Sequence, residues 1–514
     1  MKAYLGIDLG TTYSCISRIT DMDVEPKTIE LSGKYTMPSV VHYDADTVIV
    51  GESAKQRLFD VRQKKKTVEL AKLWMGTDKT WAVSNDLNVT PVDVSSEILK
   101  KLIEYYKEQY GEEEYECVIT CPANYMEDKK NLVLQAAHEA GISVKSLLNE
   151  PTAAAICFFK MNQDAVGKTI VVFDLGGGTL DVTVATCVLD DNNNPTYKVV
   201  VSKGKECLGG FQWDQELESE LLLQCSKQSN RSEDEIKHAP TDYQMIRYRS
   251  EGYKIQLSSG PIDEQFVLPS TGESINFVLS VEDFEKKTEH RLLEALAVFD
   301  NALESAYCNE QDDIPKICSD DIYRIILVGG SSRMPQIKRG IIERHPEFNN
   351  KVLIRDPDLS ISRGAAIWCK EYSENSLSEY LSNTFGVDAY RSEESEEIVC
   401  FNHIFLGQRI PCECMRGYIT RHDDTDSFIQ NIYQNTSPAD TTYTELDDCT
   451  KIGDLSIQLP QKVPKHTPIK TTFRINVSGL ISVTTECMGV TKSCMITLTP
   501  DLADHRNVDV IRGE

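Results

Sequence analysis

Asp8 and Asp174 each close an apolar, strand-like run, and each is followed at once by a turn of glycine and hydroxyl residues. The second run, Phe173 to Val182, reads FDLGGGTLDV. Three consecutive glycines let backbone N–H groups come close to an anion, because no Cβ stands in the way. The common glycine-rich phosphate motifs open a helix after their glycines. Here Leu180, Val182 and Val184 alternate with Asp181 and Thr183, which is strand periodicity. The reading is strand, tight turn, strand. Tyr4 to Ile19, YLGIDLGTTYSCISRI, repeats it, with Gly10, Thr11 and Thr12 in the turn. Such turns offer donors to phosphate oxygens, and the two carboxylates suit a hydrated Mg²⁺, which gives up its waters reluctantly. One turn alone is more readily an ordinary hairpin. Two, about one lobe apart, suggest a duplicated fold with nucleotide clamped between the halves.

The chain between the turns has to position them. Val94 to Tyr110 reads as an amphipathic helix with Ile98, Leu102, Tyr105 and Tyr106 on one side. Cys117 to Thr120 reads as a short buried strand, and Met126 to Ala140 as a helix stopped by Gly141. In LLNEPTAAAICFF, Pro151 fits the first turn of a helix, where its missing N–H costs nothing. Glu150 therefore stands at a helix start beside a strand end. There it could position an attacking water, or simply complement the helix dipole. Strands alternate with helices, so the architecture is α/β.

Composition narrows the class. A chain of 514 residues is too long for one core. No apolar run approaches the roughly 20 residues of a membrane helix, and MKAYLGIDLG shows no signal-peptide pattern. The expectation is a cytoplasmic protein with no membrane partner. The sixteen cysteines include no C-x-x-C pair, which favours reduced thiols over disulfides or zinc. A net charge of −26 argues against nucleic acid as a partner.

Three segments, GIDLGTTYS, VVFDLGGGTLDV and IILVGGSSRMPQI (Ile325 to Ile337), together resemble the signatures of the heat-shock 70 kDa chaperone family. AKLWMG (Ala71 to Gly76), VSSEIL, NEPTAAA and RGAAI add to the likeness in the same order. The likeness is strong through about Cys369 and weaker, though readable, beyond. It implies an actin-like two-lobed ATPase domain over residues 1–372, a linker over 373–384, and a β-sandwich that grips extended peptide over 385–514. The cofactors it implies are ATP or ADP with Mg²⁺, and K⁺ as a further candidate. By that resemblance, Asp8 and Asp174 are magnesium-side aspartates, and Lys72, Glu150, Asp174 and Thr179 are catalytic. Gly10, Thr11, Thr12 and Tyr13 form the first phosphate turn, and Gly176, Gly177 and Gly178 the second, with Gly209 and Gly210 nearby. Glu251, Lys254 and Ser258 belong to the adenine and ribose pocket. Gly329, Gly330, Ser331 and Arg333 form the adenosine-side loop, and Asp358 is a further nucleotide-side acid.

The chain departs from the family pattern in places. Ile255 stands where the family commonly stacks an arginine on the adenine, and Phe211 and Gln212 stand where two acids are usual. The segment between Gly76 and Val94 is short. The linker, within SENSLSEYLSNTFGVD, carries only Leu377, Tyr380 and Leu381 as large apolar residues before Phe385. Ser146 replaces the arginine that J-domain cochaperones use in the family, with Lys145 beside it.

Past Phe385, GDLSIQL, TTFRINV and LISVTTEC alternate as strands separated by turn residues, which marks an all-β unit. No helical lid is expected after it. Three functions compete. The first is an ATP-hydrolysing, lidless chaperone that binds unfolded polypeptide segments, with a J-domain cochaperone and a nucleotide-exchange factor as partners. The second is a ribosome-associated or nucleotide-exchange regulator that hydrolyses ATP weakly or not at all. The third, a sugar or acetate kinase, leaves the sandwich unexplained. Retention of Asp8, Lys72, Glu150, Asp174 and Thr179 together favours the first, while the linker and Ser146 favour the second.

Overall fold

The first hairpin joins strand β1 (Ala3–Asp8) to β2 (Tyr13–Thr20), antiparallel, with Asp8 opposite Cys15. Helix α1 (Pro91–Tyr110) follows, opened by a capping box in which Thr90 and Asp93 satisfy each other's backbone N–H groups. It buries Ile98, Leu102 and Tyr106, as its periodicity requires. Strand β3 (Tyr115–Cys121) lies parallel to β1, and β4 (Val144–Asn149) lies parallel to β3. Helix α2 (Glu150–Met161) leaves the end of β4, with Pro151 in its first turn.

The same plan then recurs. Strand β5 (Thr169–Leu175) pairs antiparallel with β6 (Thr179–Leu189), which pairs with β7 (Pro195–Glu206). Helices α3 (Gly210–Ser229), α4 (Pro240–Leu257) and α5 (Val281–Tyr307) come next. Strand β8 (Ile322–Val328) adds parallel to β5, and β9 (Val352–Ile354) parallel to β8. Helix α6 (Ser360–Glu371) then returns to pack against β1, β2 and β3 of the first lobe. Each lobe is thus one hairpin extended by two parallel strands, and each hairpin carries its aspartate at the end of the first strand. The two helices α2 and α6 meet through small residues: a Cβ on Gly364 would sit 1.8 Å from the Ala153 carbonyl oxygen. Strand β1 lies as close to α6, since a Cβ on Gly6 would meet the Ala366 nitrogen at 2.2 Å.

In this computed structural model all residues are described except 1, 45–46, 59, 85, 112–113, 126, 190–194, 309–316, 372–376, 382, 406–407, 436, 438–440, 477–480, 496–509 and 513–514. Met126 and, within the expected linker, Ser373 to Ser376 and Ser382 therefore lie outside the described residues. The chain divides into two compact units, residues 1–124 with 132–372, and residues 125–131 with 373–514.

The second unit is built from strands. They are β10 (Thr384–Tyr390), β11 (Ile398–Ile404), β12 (Cys412–Thr420), β13 (Thr425–Asn435), β14 (Thr450–Val463), β15 (Pro468–Ile475), β16 (Ile481–Cys487) and β17 (Val490–Met495). One set pairs β11, β10, β13 and β14, and the other pairs β12, β15, β16 and β17. Both feed one core, in which Val387, Phe401, Phe428, Ile457, Phe473 and Val483 are buried. In β14, buried Leu455, Ile457 and Leu459 alternate with exposed Ser456 and Gln458, the half-buried pattern of a sandwich strand. Among the described residues beyond Glu371 there is no α-helix. No helix among the described residues is long and apolar enough to cross a membrane.

Candidate nucleotide-binding cleft

Because Asp8 and Asp174 end equivalent strands, the duplication brings both carboxylates to one cleft of about 650 Å³. Lys72 and Glu150 also line it. Lys72 comes from a short 3₁₀ turn (Ala71–Trp74) and Glu150 from the first residue of α2. Their side chains meet, with Lys72 Nζ donating to Glu150 Oε1 at 2.5 Å, and each residue is only 7% exposed.

Asp181 is a third carboxylate, buried behind this floor. It stands directly across from Asp174 in the β5–β6 register and is almost wholly buried. Sequence reasoning saw Asp181 only as a beat in a strand pattern; the signal was its place one hairpin step from Asp174. Burial first, and then the Glu150 charge, raise the Asp8 carboxyl to about 7, against the pull of Lys72. The same two causes raise Asp174 and Asp181 well above the ordinary carboxylate range. No donor among the described residues reaches Asp174 Oδ2 or Asp181 Oδ1. Buried carboxylate oxygens without donors suit a cation and its water shell. Among the described residues no three His, Cys, Asp or Glu side chains converge closely enough to grip a bare metal ion. The set therefore fits a hydrated Mg²⁺ held through its waters.

The two glycine turns face each other across this floor. A Cβ on Gly177 would lie 2.4 Å from Thr12 Oγ1, and one on Gly178 would lie 3.0 Å from Thr11 Cγ2. Gly209 packs behind them, where a Cβ would come within 2.5 Å of the Gly178 nitrogen. Gly10, Thr11, Thr12, Tyr13, Gly176, Gly177 and Thr179 line the cleft, whereas Gly178, Gly209 and Gly210 stand behind its wall. Gly329, at φ +78°, is forced: a Cβ there would meet the Leu175 carbonyl oxygen at 2.4 Å.

The other end of the cleft carries Glu251, Lys254, Ile255, Ser258, Gly330, Ser331, Arg333 and Asp358. Arg333 Nη2 donates to Asp358 Oδ2 at 2.5 Å. Lys254 donates to the Gly210 carbonyl at 3.0 Å and pairs with Asp214 at 2.7 Å. Ile255 is 60% exposed, an aliphatic surface open to the cleft. Lys55, which sequence reasoning missed, bridges Glu251 at 2.5 Å and the Tyr13 hydroxyl at 3.0 Å. Burial opposes charge on Glu251, yet Lys55 outweighs it and holds that carboxyl below its usual range. Nothing in the local sequence around Lys55 marks it, because its partner arrives from 196 residues away.

The two duplicated lobes about a carboxylate-floored cleft, carried in one chain with a β-sandwich, define the class. A family model described as Hsp70 protein matches residues 4–88 and 77–509, nearly the whole length. The chain belongs to the Hsp70 chaperone family. It is 29% identical over 508 residues to the chaperone protein DnaK of Mycoplasma mobile, covering 96% of this chain and 78% of that one. It is 30% identical over 508 residues to the chaperone protein DnaK of Ureaplasma parvum serovar 3, with the same coverage. Against the chaperone protein DnaK of Psychrobacter cryohalolentis it is 28% identical over 549 residues, covering 100% of this chain and 80% of the relative.

Proposed function

We propose that the chain is an ATP-dependent chaperone that hydrolyses ATP slowly and uses nucleotide state to regulate its hold on unfolded polypeptide segments. In this reading residues 1–372 are the nucleotide-binding domain, 373–384 the linker and 385–514 the peptide-binding sandwich. The observation that carries it is the buried Lys72–Glu150 pair beside three buried or half-buried carboxylates and two facing glycine turns. Phosphoryl transfer to water needs positioning and charge neutralisation more than covalent help.

The chain's residues divide that work. The turns at Gly10–Tyr13 and Gly176–Thr179 cradle phosphate oxygens with N–H and O–H donors. Lys72 supplies a compact cation to the transferred group, and Glu150 orients the attacking water. Thr179 adds a hydroxyl donor at the mouth of the second turn. Magnesium, held through its waters by Asp8, Asp174 and Asp181, would neutralise phosphate charge. Glu251, Lys254 and Ser258 hold the ribose and adenine, with Arg333 and Asp358 at the facing loop. The partners of this reading are unfolded peptide, a J-domain cochaperone and a nucleotide-exchange factor, in the cytoplasm.

One observation favours a weakly hydrolysing regulator as the second reading. Lys145, beside Ser146, is already held by Glu116 at 2.7 Å and by the Cys369 carbonyl at 3.0 Å. It is therefore poorly placed to replace the missing arginine. Single-turnover hydrolysis of MgATP, with and without a J-domain, separates the two. Measurable turnover that depends on Lys72 supports the chaperone; tight binding without turnover supports the regulator.

A further inference from the structure

The second unit contains a pair of thiols that the nucleotide chemistry does not use. Cys400 lies in β11 and is fully buried, while Cys449 follows the 3₁₀ turn Leu446–Asp448 and is half-buried. The short edge strand Tyr443–Glu445 pairs with β11, Cys400 opposite Thr444, and so returns the chain to the same place. One amide serves both sulfurs: Asn435 Nδ2 lies 3.9 Å from Cys400 Sγ and 3.6 Å from Cys449 Sγ. Asn402 Oδ1 accepts from the same Nδ2 at 3.0 Å, which fixes the donor toward the thiols. Gly386 makes the room, since a Cβ there would lie 2.8 Å from Cys400 Sγ.

The two thiols have unequal chemistry. Interaction with the Cys400 thiol, and then the Asn435 amide, lowers the Cys449 thiol below its ordinary range against partial burial and the Asp448 and Glu445 charges, while Cys449 Sγ lies 3.3 Å from the Glu445 carbonyl. The same interaction, followed by burial, raises Cys400. The more acidic thiol on the more exposed side and the less acidic one buried beneath it are ordered as the attacking and resolving halves of a dithiol.

We infer that Cys449 and Cys400 form a modification site at which a low-molecular-weight disulfide oxidises the pair to an intramolecular disulfide. The Cys449 thiolate attacks one sulfur of glutathione disulfide, breaking its S–S bond and releasing one glutathione thiolate. Cys400 then gives its proton to solvent and attacks Cys449 Sγ, releasing the second glutathione. The pair loses two electrons, and one glutathione disulfide becomes two thiols. The new bond ties β11 to the start of β14 across the edge strand between them.

The test uses the full chain in glutathione redox buffers, quenched by alkylation and mapped by mass spectrometry. At pH 7 Cys449 reacts at least about tenfold faster than Cys207, Cys308 and Cys318, although those three are more exposed. The native chain yields a Cys400–Cys449 linked peptide, and Cys400→Ser stops at a stable glutathione adduct on Cys449. Equal rates at the four cysteines, or a mixed disulfide that persists in the native chain, would overturn the inference. Those two readouts need no variant, so they decide the matter even where Cys400→Ser does not fold.

Discussion

Lys72 and Glu150 are a buried ion pair, 2.5 Å from Nζ to Oε1, assembled from positions 78 residues apart. Each residue satisfies the other's charge in a site that water barely reaches. That relationship makes both a mechanistic and a stability prediction. Lys72→Ala lowers the rate of ATP hydrolysis while leaving nucleotide affinity largely in place. It also strands the Glu150 carboxylate, and breaking a buried pair costs roughly 3–5 kcal/mol. The calorimetric transition of nucleotide-free Lys72→Ala falls accordingly, and Lys72→Met with Glu150→Gln recovers stability without recovering hydrolysis. Unchanged hydrolysis in Lys72→Ala removes Lys72 from the mechanism.

The close packing behind the phosphate turns gives a prediction with a built-in control. At Gly209 a Cβ meets backbone atoms of Gly177 and Gly178 at 2.5–2.7 Å, and backbone cannot swing away as a side chain can. Gly209→Ala displaces the second turn, and nucleotide affinity drops at least about tenfold, the equivalent of ~1.4 kcal/mol. Gly252, within α4, has nothing among the described residues within 4 Å of a new Cβ. Gly252→Ala leaves affinity alone and stabilises the helix by roughly 0.5–1 kcal/mol. Isothermal titration and thermal melts of both variants check the pair; equal affinity loss in the two would disprove the packing argument.

At the end of the cleft proposed to hold adenosine, Ile255 offers an open aliphatic surface where a guanidinium could stack. Ile255→Arg tightens nucleotide binding by about 1 kcal/mol, the scale of an added cation–π or stacking contact. Calorimetric affinity that stays flat or weakens means that the pocket closes by other contacts.

Asp388 sets a pH dependence in the second unit. It is 1% exposed, accepts from the Asn431 N–H at 2.7 Å and from Asn431 Nδ2 at 2.6 Å, and has Lys451 in its field. Burial wins over these partners and raises its carboxyl from 3.8 to about 6. The native state thus holds the proton more tightly than the unfolded chain does. Stability contributed by this group is greatest below pH ~4, falls as pH rises to about 6, and is level above, a total of at most ~3 kcal/mol. Asp388→Asn removes the loss. Asn431 Oδ1 has no hydrogen-bond partner among the described residues, so a flipped Asn431 amide can accept from the new Nδ2. The variant melts higher than the native chain at pH 7 by an amount worth about 1–2 kcal/mol, and the gap closes toward pH 4. A gap that widens on acidification contradicts the assignment.

Most of the residues that line the candidate cleft were legible in the sequence, and the reason is local. Strand, turn and strand around Asp8 and Asp174 are written within about twenty residues each, in periodicity and glycine placement. The helix start at Glu150 was equally plain from Pro151. What stayed hidden was long-range register. Asp181 came beside Asp174 only once β5 and β6 paired, and Lys55 gained its partner only once the second lobe brought Glu251 to it. The sandwich strands were legible from alternation in β14, β15 and β16. The Cys400–Cys449 juxtaposition was not, because it depends on an edge strand folding back on β11.

Coupling between the halves is the central claim, and the linker sets its strength. Leu377, Tyr380 and Leu381 are its large apolar residues, and each missing leucine removes roughly 1.5–3 kcal/mol of potential burial. A ligand shifts an equilibrium only through its differential affinity for the two states. The account therefore expects weak but reciprocal coupling, strengthened in both directions by Ser378→Leu with Glu379→Leu.

The direct measurement is the affinity of a fluorescent unfolded peptide for the full chain with ADP and with ATP. The account predicts peptide binding in both states, a few-fold weaker with ATP, and a comparably small stimulation of hydrolysis by peptide. Release of a hundredfold or more with ATP would keep the chaperone and overturn the weak linker. Peptide affinity identical in the two nucleotides, or no peptide binding in either, would contradict the central claim.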